Sequence, residues 1–323
     1  MTRITWQGQR YELQEGETVL EALLRIGASV PYSCRSGVCQ TCMMRAVAGD
    51  PGEASRHRLS EEQRARGAFL PCICHPQTDL ELAPMQDELP IMATTVVSKT
   101  PLGDVLRLRL APRKPISFRA GQFINVHAED GVVRSYSIAS VPTLDDGVLE
   151  LHVRRLPDGR VSTWLHEVLR EGDELCVQGP LGECCYVLGE TQRPLLLIGT
   201  GSGLAPLWGI LRDALHNGHT GPIYLYHGSR DAEGLYLHDE LCALEAMRPE
   251  QFHYIPCVSG PNVSPDCRSG RASDAALADH SKLTGWRVYV CGHPQMVEET
   301  RRSVFLAGAR IADIHTDAFT LSR

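Results

Sequence analysis

Hydrophobic and polar positions fall into three successive patterns along the chain. The first opens with Ile4 and Trp6, then Tyr11 and Leu13, alternating with polar residues on either side of Gly8, the period of a β-hairpin. From Glu17-Thr18 the period lengthens: Val19, Leu20, Leu23, Leu24 and Ile26 recur at helical spacing until Gly27 stops them. Met43–Val47 and Leu80–Leu82 read as two further strands. A small sheet crossed by one helix is expected over residues 1–87.

Leu89-Pro90, in an acidic stretch containing Met and Pro, reads as a linker. Beyond it short β-type runs recur: Thr95–Val97, Val105–Leu110, Phe123–Val126, Ser135–Ile138, Leu149–Val153 and Glu174–Val177. Glycine and proline punctuate them, which predicts an antiparallel barrel over residues 88–187. One helical patch interrupts it, with apolar Val161, Trp164, Leu165, Val168 and Leu169. From residue 188 the pattern changes to apolar runs alternating with helices. Leu195–Ile198 reads as a buried strand, followed by a glycine-rich turn and a helix to about Leu215; Ile223–His227, His253–Val258 and Val288–Cys291 are the next strands. This predicts a parallel α/β sheet over residues 188–323. The chain is therefore expected to be multidomain, with α+β and α/β parts.

Composition narrows the function. A chain of 323 residues, 43% of them hydrophobic, can fill several cores. A net charge of −7 argues against nucleic acid or an anionic membrane as the main partner, and clusters such as Arg301-Arg302 read as solvated surface. No apolar run approaches the length of a membrane span. The opening MTRITWQGQRYELQ lacks the apolar centre of a signal peptide, so twelve cysteines point to a reducing compartment and a cytoplasmic protein. Four of the cysteines have ligand spacing. The other eight are expected to be small core hydrophobes, with a second role considered only for Cys291.

Cys34, Cys39 and Cys42 stand in C-x4-C-x2-C order, and Cys72 follows after a gap of twenty-nine residues. This is the plant-type spacing that holds a [2Fe–2S] cluster. Thiolates are soft ligands suited to iron, and Gly37 lets loop amides turn toward the sulfurs. A zinc site would normally pair two such cysteine units, and only one is present. Pro71-Cys72-Ile73-Cys74-His75 offers two choices for the fourth ligand. Later, Gly199-Thr200-Gly201-Ser202-Gly203-Leu204-Ala205-Pro206 departs from the dinucleotide fingerprint, because Leu204 takes the place of the last glycine. Its mechanics survive, since a glycine loop leading into a helix N-terminus suits a phosphate. After the second strand of this part, Ser229 and Arg230 precede Asp231; taken alone they lean toward the phosphate of NADPH.

The loop CRSGVCQTC, followed by FLPCICHPQTDLEL, closely resembles the plant-type ferredoxin domain of bacterial oxygenase reductases. Gly121-Gln122-Phe123, Arg134-Ser135-Tyr136-Ser137, Gly159-Arg160-Val161-Ser162, the GTGSGLAP loop and Val290-Cys291-Gly292-His293-Pro294 resemble, in order, the ferredoxin–NADP⁺ reductase superfamily. The resemblance covers essentially the whole chain. It implies a β-grasp [2Fe–2S] ferredoxin domain, an antiparallel β-barrel FAD domain and a parallel α/β NAD domain. It selects Cys72 as fourth ligand beside Cys34, Cys39 and Cys42, with Cys74 packed in the core. Within the motif Arg134 would pair with the FAD pyrophosphate, Ser135 would belong to the same cofactor strand, Tyr136 would pack on the flavin, and Ser137 would bond near flavin N5. Val153 and Arg154 would line the flavin, and Val161 and Ser162 would donate to phosphate.

In the last domain Gly199, Thr200, Gly201, Ser202, Gly203 and Pro206 would form the nicotinamide loop, and Ser229 and Arg230 would meet the ribose. Cys291, with Gly292 and Pro294, would lie where hydride passes to the flavin, making Ser137 and Cys291 the reacting pair. Phe319 is the candidate for the aromatic that relatives place near the flavin, although theirs ends the chain. The resemblance implies an NAD(P)H-dependent reductase component of benzoate dioxygenase or methane and phenol monooxygenase type, using NADH in preference to NADPH. It would act as a monomer and pass electrons from FAD through the cluster to an oxygenase or a small ferredoxin. The rival readings are a deoxysugar-biosynthesis reductase similar to CDP-6-deoxy-glucoseen reductase and a redox sensor without turnover.

Overall fold

The computed structural model describes residues 2–28, 30, 32, 35–38, 40–57, 59–85, 91–129 and 131–319. The chain divides into two compact units, one drawn from Met1–Ile91 with Asn125–Ser135, the other from Met92–Ile124 with Tyr136–Phe319. The expected linker at Leu89-Pro90 lies outside the described residues.

The first unit contains a five-stranded sheet in the order Gln9–Glu12, Arg3–Trp6, Leu80–Pro84, Met44–Ala48, Ala68–Phe69. Its central pair is parallel, with Ile4 opposite Leu80 and Trp6 opposite Leu82. The expected hairpin and strands are thus present. The helix Val19–Arg25 crosses the sheet and buries Val19, Leu20, Ala22 and Leu23 in the same core as Ile4, Phe69 and Leu80. Each leucine buried this way contributes about 2 kcal/mol. Thr18 caps the helix: its side chain accepts from the Glu21 N–H, and the Glu21 carboxylate accepts from the Thr18 N–H at 2.8 Å. The Val19 N–H donates to the Cys74 carbonyl at 3.0 Å, pinning the helix start to the turn that carries Cys72.

A second sheet runs Leu149–Arg154, Val105–Pro112, Ile91–Leu102, Glu174–Leu181, Phe123–His127, Val133–Ser137. An antiparallel bridge between Ile138 and Leu151 joins its two edges, so the expected barrel closes. The helical patch departs from expectation. A short α-helix, Arg160–Thr163, passes into a π-helical turn, Trp164–Val168. Val161, Leu165 and Leu169 are buried at intervals of four, while Val168 is rotated into solvent, 61% exposed.

The third sheet is parallel throughout: Arg268–Ser269, Phe252–Val258, Ile223–Ser229, Leu195–Thr200, Arg287–Gly292, Ile314–Ala318. Leu195 and Leu197 enter one core with helix Leu204–His216, and Leu196 and Ile198 enter another on the opposite face. That is why the run is continuously apolar: helices cover both faces. The two edge strands were not foreseen. Among the scattered cysteines, Cys74, Cys184, Cys185, Cys257 and Cys291 are buried as expected, but Cys176 and Cys242 are exposed and Cys267 is half-buried. Among the described residues no helix is long and apolar enough to cross a membrane.

Candidate functional site

The cysteine loop is described at residues 35–38 and 40–42; Cys34 and Cys39 lie outside the described residues. Arg35, Gly37 and Gln40 all have left-handed backbone, with φ of 52°, 74° and 56°. Two of these are not glycine, so surrounding structure holds the loop in a costly curl. A Cβ on Gly37 would fall 2.4 Å from Ile73 Cδ1, so the loop presses on the turn Pro71–Ile73. Cys42 and Cys72 are both buried on these two segments. Cys74 points elsewhere: its thiol donates to the Pro51 carbonyl at 3.2 Å, and burial pushes it up to about 12. A thiol that donates a proton to a carbonyl is a poor ligand. Two buried soft sulfurs beside a curled loop fit a [2Fe–2S] cluster.

The glycine loop leaves strand Leu195–Thr200, makes a 3₁₀ turn at Gly201–Gly203 and enters helix Leu204–His216, with Pro206 buried in its first turn. A Cβ on Gly203 would lie 2.3 Å from the Cys291 carbonyl oxygen. A Cβ on Gly292, whose φ is 132°, would lie 2.5 Å from Thr200 Oγ1. Two backbone turns therefore meet with no room for side chains, leaving the amides of the loop and helix start to face a ligand. Pro294 opens the helix Pro294–Leu306 on the other side of this contact. Such a cradle fits a dinucleotide phosphate.

Behind the cradle lies a buried polar cluster. Cys291 is fully buried, with its sulfur 3.8 Å from Cys184 Sγ. Asp317 pairs with Cys291 across neighbouring parallel strands, which sets its backbone beside the Cys291 sulfur. The Asp317 carboxylate accepts a 2.7 Å hydrogen bond from Ser137 Oγ. Burial raises the Asp317 carboxyl from 3.8 to about 6, against the opposing effect of that hydrogen bond. Burial also raises the Cys291 thiol. Ser137 and Cys291, named from sequence, are thus joined through Asp317, which sequence reasoning missed. Its strand, Ile314–Ala318, is too polar to stand out, and its nearness to Phe319 was the one available clue. Phe319 is half-buried, and its N–H donates to the Gly292 carbonyl at 2.8 Å.

The remaining candidates lie on several elements. Arg134 Nη1 donates to the Val133 carbonyl at 2.8 Å, and Ser135 Oγ donates to Asn125 Oδ1 at 2.7 Å. Tyr136 is half-buried. Val153 is buried, and Arg154 pairs with Asp104 at 2.8 Å while its guanidinium lies beside Gly201. Val161 and Ser162 are buried in the first turn after Gly159. The Ser162 hydroxyl donates to the Gly159 carbonyl at 3.1 Å and accepts from the Leu156 N–H at 3.3 Å. It therefore shapes the turn. An aromatic face, a guanidinium and helix-start amides fit a flavin dinucleotide. At the end of Ile223–Ser229, Arg230 is exposed, and the Asp231 carboxylate is engaged by the Gly234 N–H at 3.1 Å.

Three family models match in order: the 2Fe–2S iron–sulfur cluster binding domain over residues 4–77, the oxidoreductase FAD-binding domain over 89–186 and the oxidoreductase NAD-binding domain over 197–302. The chain is 35% identical over 312 residues to the ferredoxin–NAD(P)⁺ reductase component of the naphthalene 1,2-dioxygenase system of Pseudomonas putida, covering 94% of each. It is 35% identical over 326 residues to the reductase subunit of an aromatic O-demethylase of an Amycolatopsis species, covering 97% of each. The phenol hydroxylase P5 protein of Acinetobacter pittii is 33% identical over 328 residues, 97% of this chain and 92% of that one. Among solved structures, the Amycolatopsis cytochrome P450 reductase GcoB superposes with a TM-score of 0.71 at 33% identity over 99% of both chains. A ferredoxin reductase in carbazole 1,9a-dioxygenase does so at 0.67 and 27% identity over 98% of both. Motif order, cradle and relatives agree that the chain belongs to the family of oxygenase reductase components in which a plant-type [2Fe–2S] ferredoxin domain is joined to ferredoxin–NADP⁺ reductase-like FAD and NAD domains, and that it is an NAD(P)H-dependent flavin and iron–sulfur oxidoreductase.

Proposed function

We propose that the chain takes hydride from NADH and delivers single electrons to the terminal component of an aromatic-substrate oxygenase, or to a small ferredoxin that serves one. When bound, FAD supplies the step from two-electron to one-electron chemistry and the [2Fe–2S] cluster supplies the one-electron exit. The protein's share is placement, exclusion of water and proton handling. The observation that carries the reading is the buried Cys291–Asp317–Ser137 cluster directly behind the glycine cradle.

In this reading Gly199 to Gly203 and the helix start hold the dinucleotide phosphates, and the Cys291–Gly292 turn sets the nicotinamide depth. The Ser137 hydroxyl donates a hydrogen bond to Asp317, so its oxygen can accept one at the flavin edge. Asp317, with its carboxyl raised to about 6, can hold or release a proton near neutrality and pass it through the Ser137 hydroxyl. Arg134, Tyr136, Val153, Arg154, Val161 and Ser162 hold FAD, and Ser229 with Arg230 meets the adenosine ribose. Cys34, Cys39, Cys42 and Cys72 hold the cluster. Arg35 and Ser36, exposed on the same loop, form the contact for the acceptor. Residues 1–87, 88–187 and 188–323 are the three working domains of a cytoplasmic monomer.

Reconstitution tests the assignment. NADH-dependent turnover of an aromatic substrate is expected when the chain is mixed with its terminal oxygenase components. Failure with those components, together with efficient electron delivery to an enzyme-bound deoxysugar intermediate, would reject it.

A further inference from the structure

Cys184 touches the thiol at the centre of the buried cluster. The two sulfurs lie 3.8 Å apart although the residues are 107 positions apart in sequence. Backbone contacts fix both. A Cβ on Gly121 would lie 2.2 Å from the Cys184 carbonyl oxygen. The next residue's carbonyl accepts from Tyr289 Oη at 3.2 Å, and Tyr186 Oη bonds His219 Nδ1 at 3.1 Å. Three consecutive residues are thus anchored to neighbouring segments. Cys291 is held as firmly, with Gly203 against its carbonyl and Gly292 against Thr200. The thiol contact is therefore set by two rigid backbones and not by side-chain chance.

We propose that Cys184 is a positioning residue for dinucleotide oxidation, acting through Cys291 to fix the angle and depth at which the nicotinamide ring seats. The inference rests on the placement of Cys291 at the hydride-transfer position. A thiol carries one proton. Either sulfur could donate across the 3.8 Å contact, and the proposal assigns that hydrogen to Cys184, which leaves the Cys291 S–H free of Cys184. In the proposal that S–H is turned to the side on which the nicotinamide seats. Removing the Cys184 thiol would free the Cys291 side chain to rotate away from that orientation.

The test uses the full-length protein with its flavin and cluster. Cys184→Ala should slow flavin reduction at saturating NADH about tenfold, the effect expected for displacement by a fraction of an ångström, with the dinucleotide dissociation constant unchanged. It should also weaken the long-wavelength charge-transfer band between nicotinamide and flavin, and speed alkylation of Cys291 by iodoacetamide, read by peptide mapping. Cys184→Ser, which keeps a donor, should recover most of the rate and band. Cys184→Val fills the volume without a donor and should behave like Cys184→Ala; a normal Cys184→Val would show that packing alone matters and overturn the inference. An unchanged rate and band in Cys184→Ala at normal flavin content would also overturn it. If Cys184→Ala does not retain flavin, the Ser and Val variants decide between the same two outcomes. Cys291→Ser separates this inference from its foundation: no effect there rejects the placement of Cys291, whereas slowed reduction there with normal Cys184 variants rejects the role of Cys184 alone.

Discussion

Replacing Asp317 with asparagine should stabilise the protein above pH 7 and leave it nearly unchanged at pH 4. Folding takes the Asp317 carboxyl from 3.8 to about 6, with burial as the cause. Each unit is worth about 1.4 kcal/mol, so holding the charged form in place costs about 3 kcal/mol. The folded chain therefore binds more protons than the unfolded chain between about pH 4 and 6. For an acid shifted upward, the contribution to stability is complete below the unfolded value and is lost as pH rises through the folded one. Asparagine resembles the protonated form and can still accept from Ser137. Its advantage should grow between about pH 4 and 6 and level off above about pH 7.

In a unit of this size about 1 kcal/mol moves Tm by roughly 2–4 °C, so the variant should gain several degrees at pH 8. Thermal unfolding at a series of pH values checks this. Infrared spectra check it independently: wild type should show a protonated-carboxyl band at pH 5 that fades by pH 7.5 and is missing from the variant. A pH-independent difference in Tm, or a variant less stable at pH 8, would refute the argument.

Three further outcomes follow from the geometry. Cys72→Ser should abolish the visible bands of the cluster and leave dinucleotide-driven flavin bleaching intact, whereas Cys74→Ser should keep the cluster; absorption and iron content distinguish them. Gly203→Ala pushes a Cβ to 2.3 Å from the Cys291 carbonyl, an overpacking cost of about 1–3 kcal/mol, and should raise the dinucleotide dissociation constant measured by calorimetry. Thr18→Ala removes the helix cap and should cost about 1 kcal/mol, lowering the temperature at which the cluster is lost while flavin reduction at low temperature is unchanged.

Much of this was legible because strong local signals coincide with function. The alternation of Ile4 and Trp6, the continuous run Leu195–Ile198 and the cysteine spacing each report a constraint that acts over a few residues. Asp317 carries no such signal. Its meaning comes from register, since a parallel pairing with Cys291 brings it under Ser137, 180 residues away in sequence. Cys184 was hidden for the same reason: as a lone cysteine it is indistinguishable from a core filler until Cys291 is seen beside it. The choice of Cys72 over Cys74 came from the resemblance alone, and in the structure the Cys74 thiol donates to the Pro51 carbonyl. The exposure of Val168 was missed because helical spacing was assumed where the chain makes a π turn.

The central claim is a relay from dinucleotide through flavin to cluster within one chain. Anaerobic titration of the purified protein with NADH, followed by visible absorption and electron paramagnetic resonance, tests it most directly. Flavin and cluster bands should bleach together, the signal of a reduced [2Fe–2S] cluster should appear, and in Cys72→Ser that signal should be lost while flavin bleaching survives. A colourless, zinc-containing protein, or a flavin that bleaches while an intact cluster stays oxidised, would contradict it.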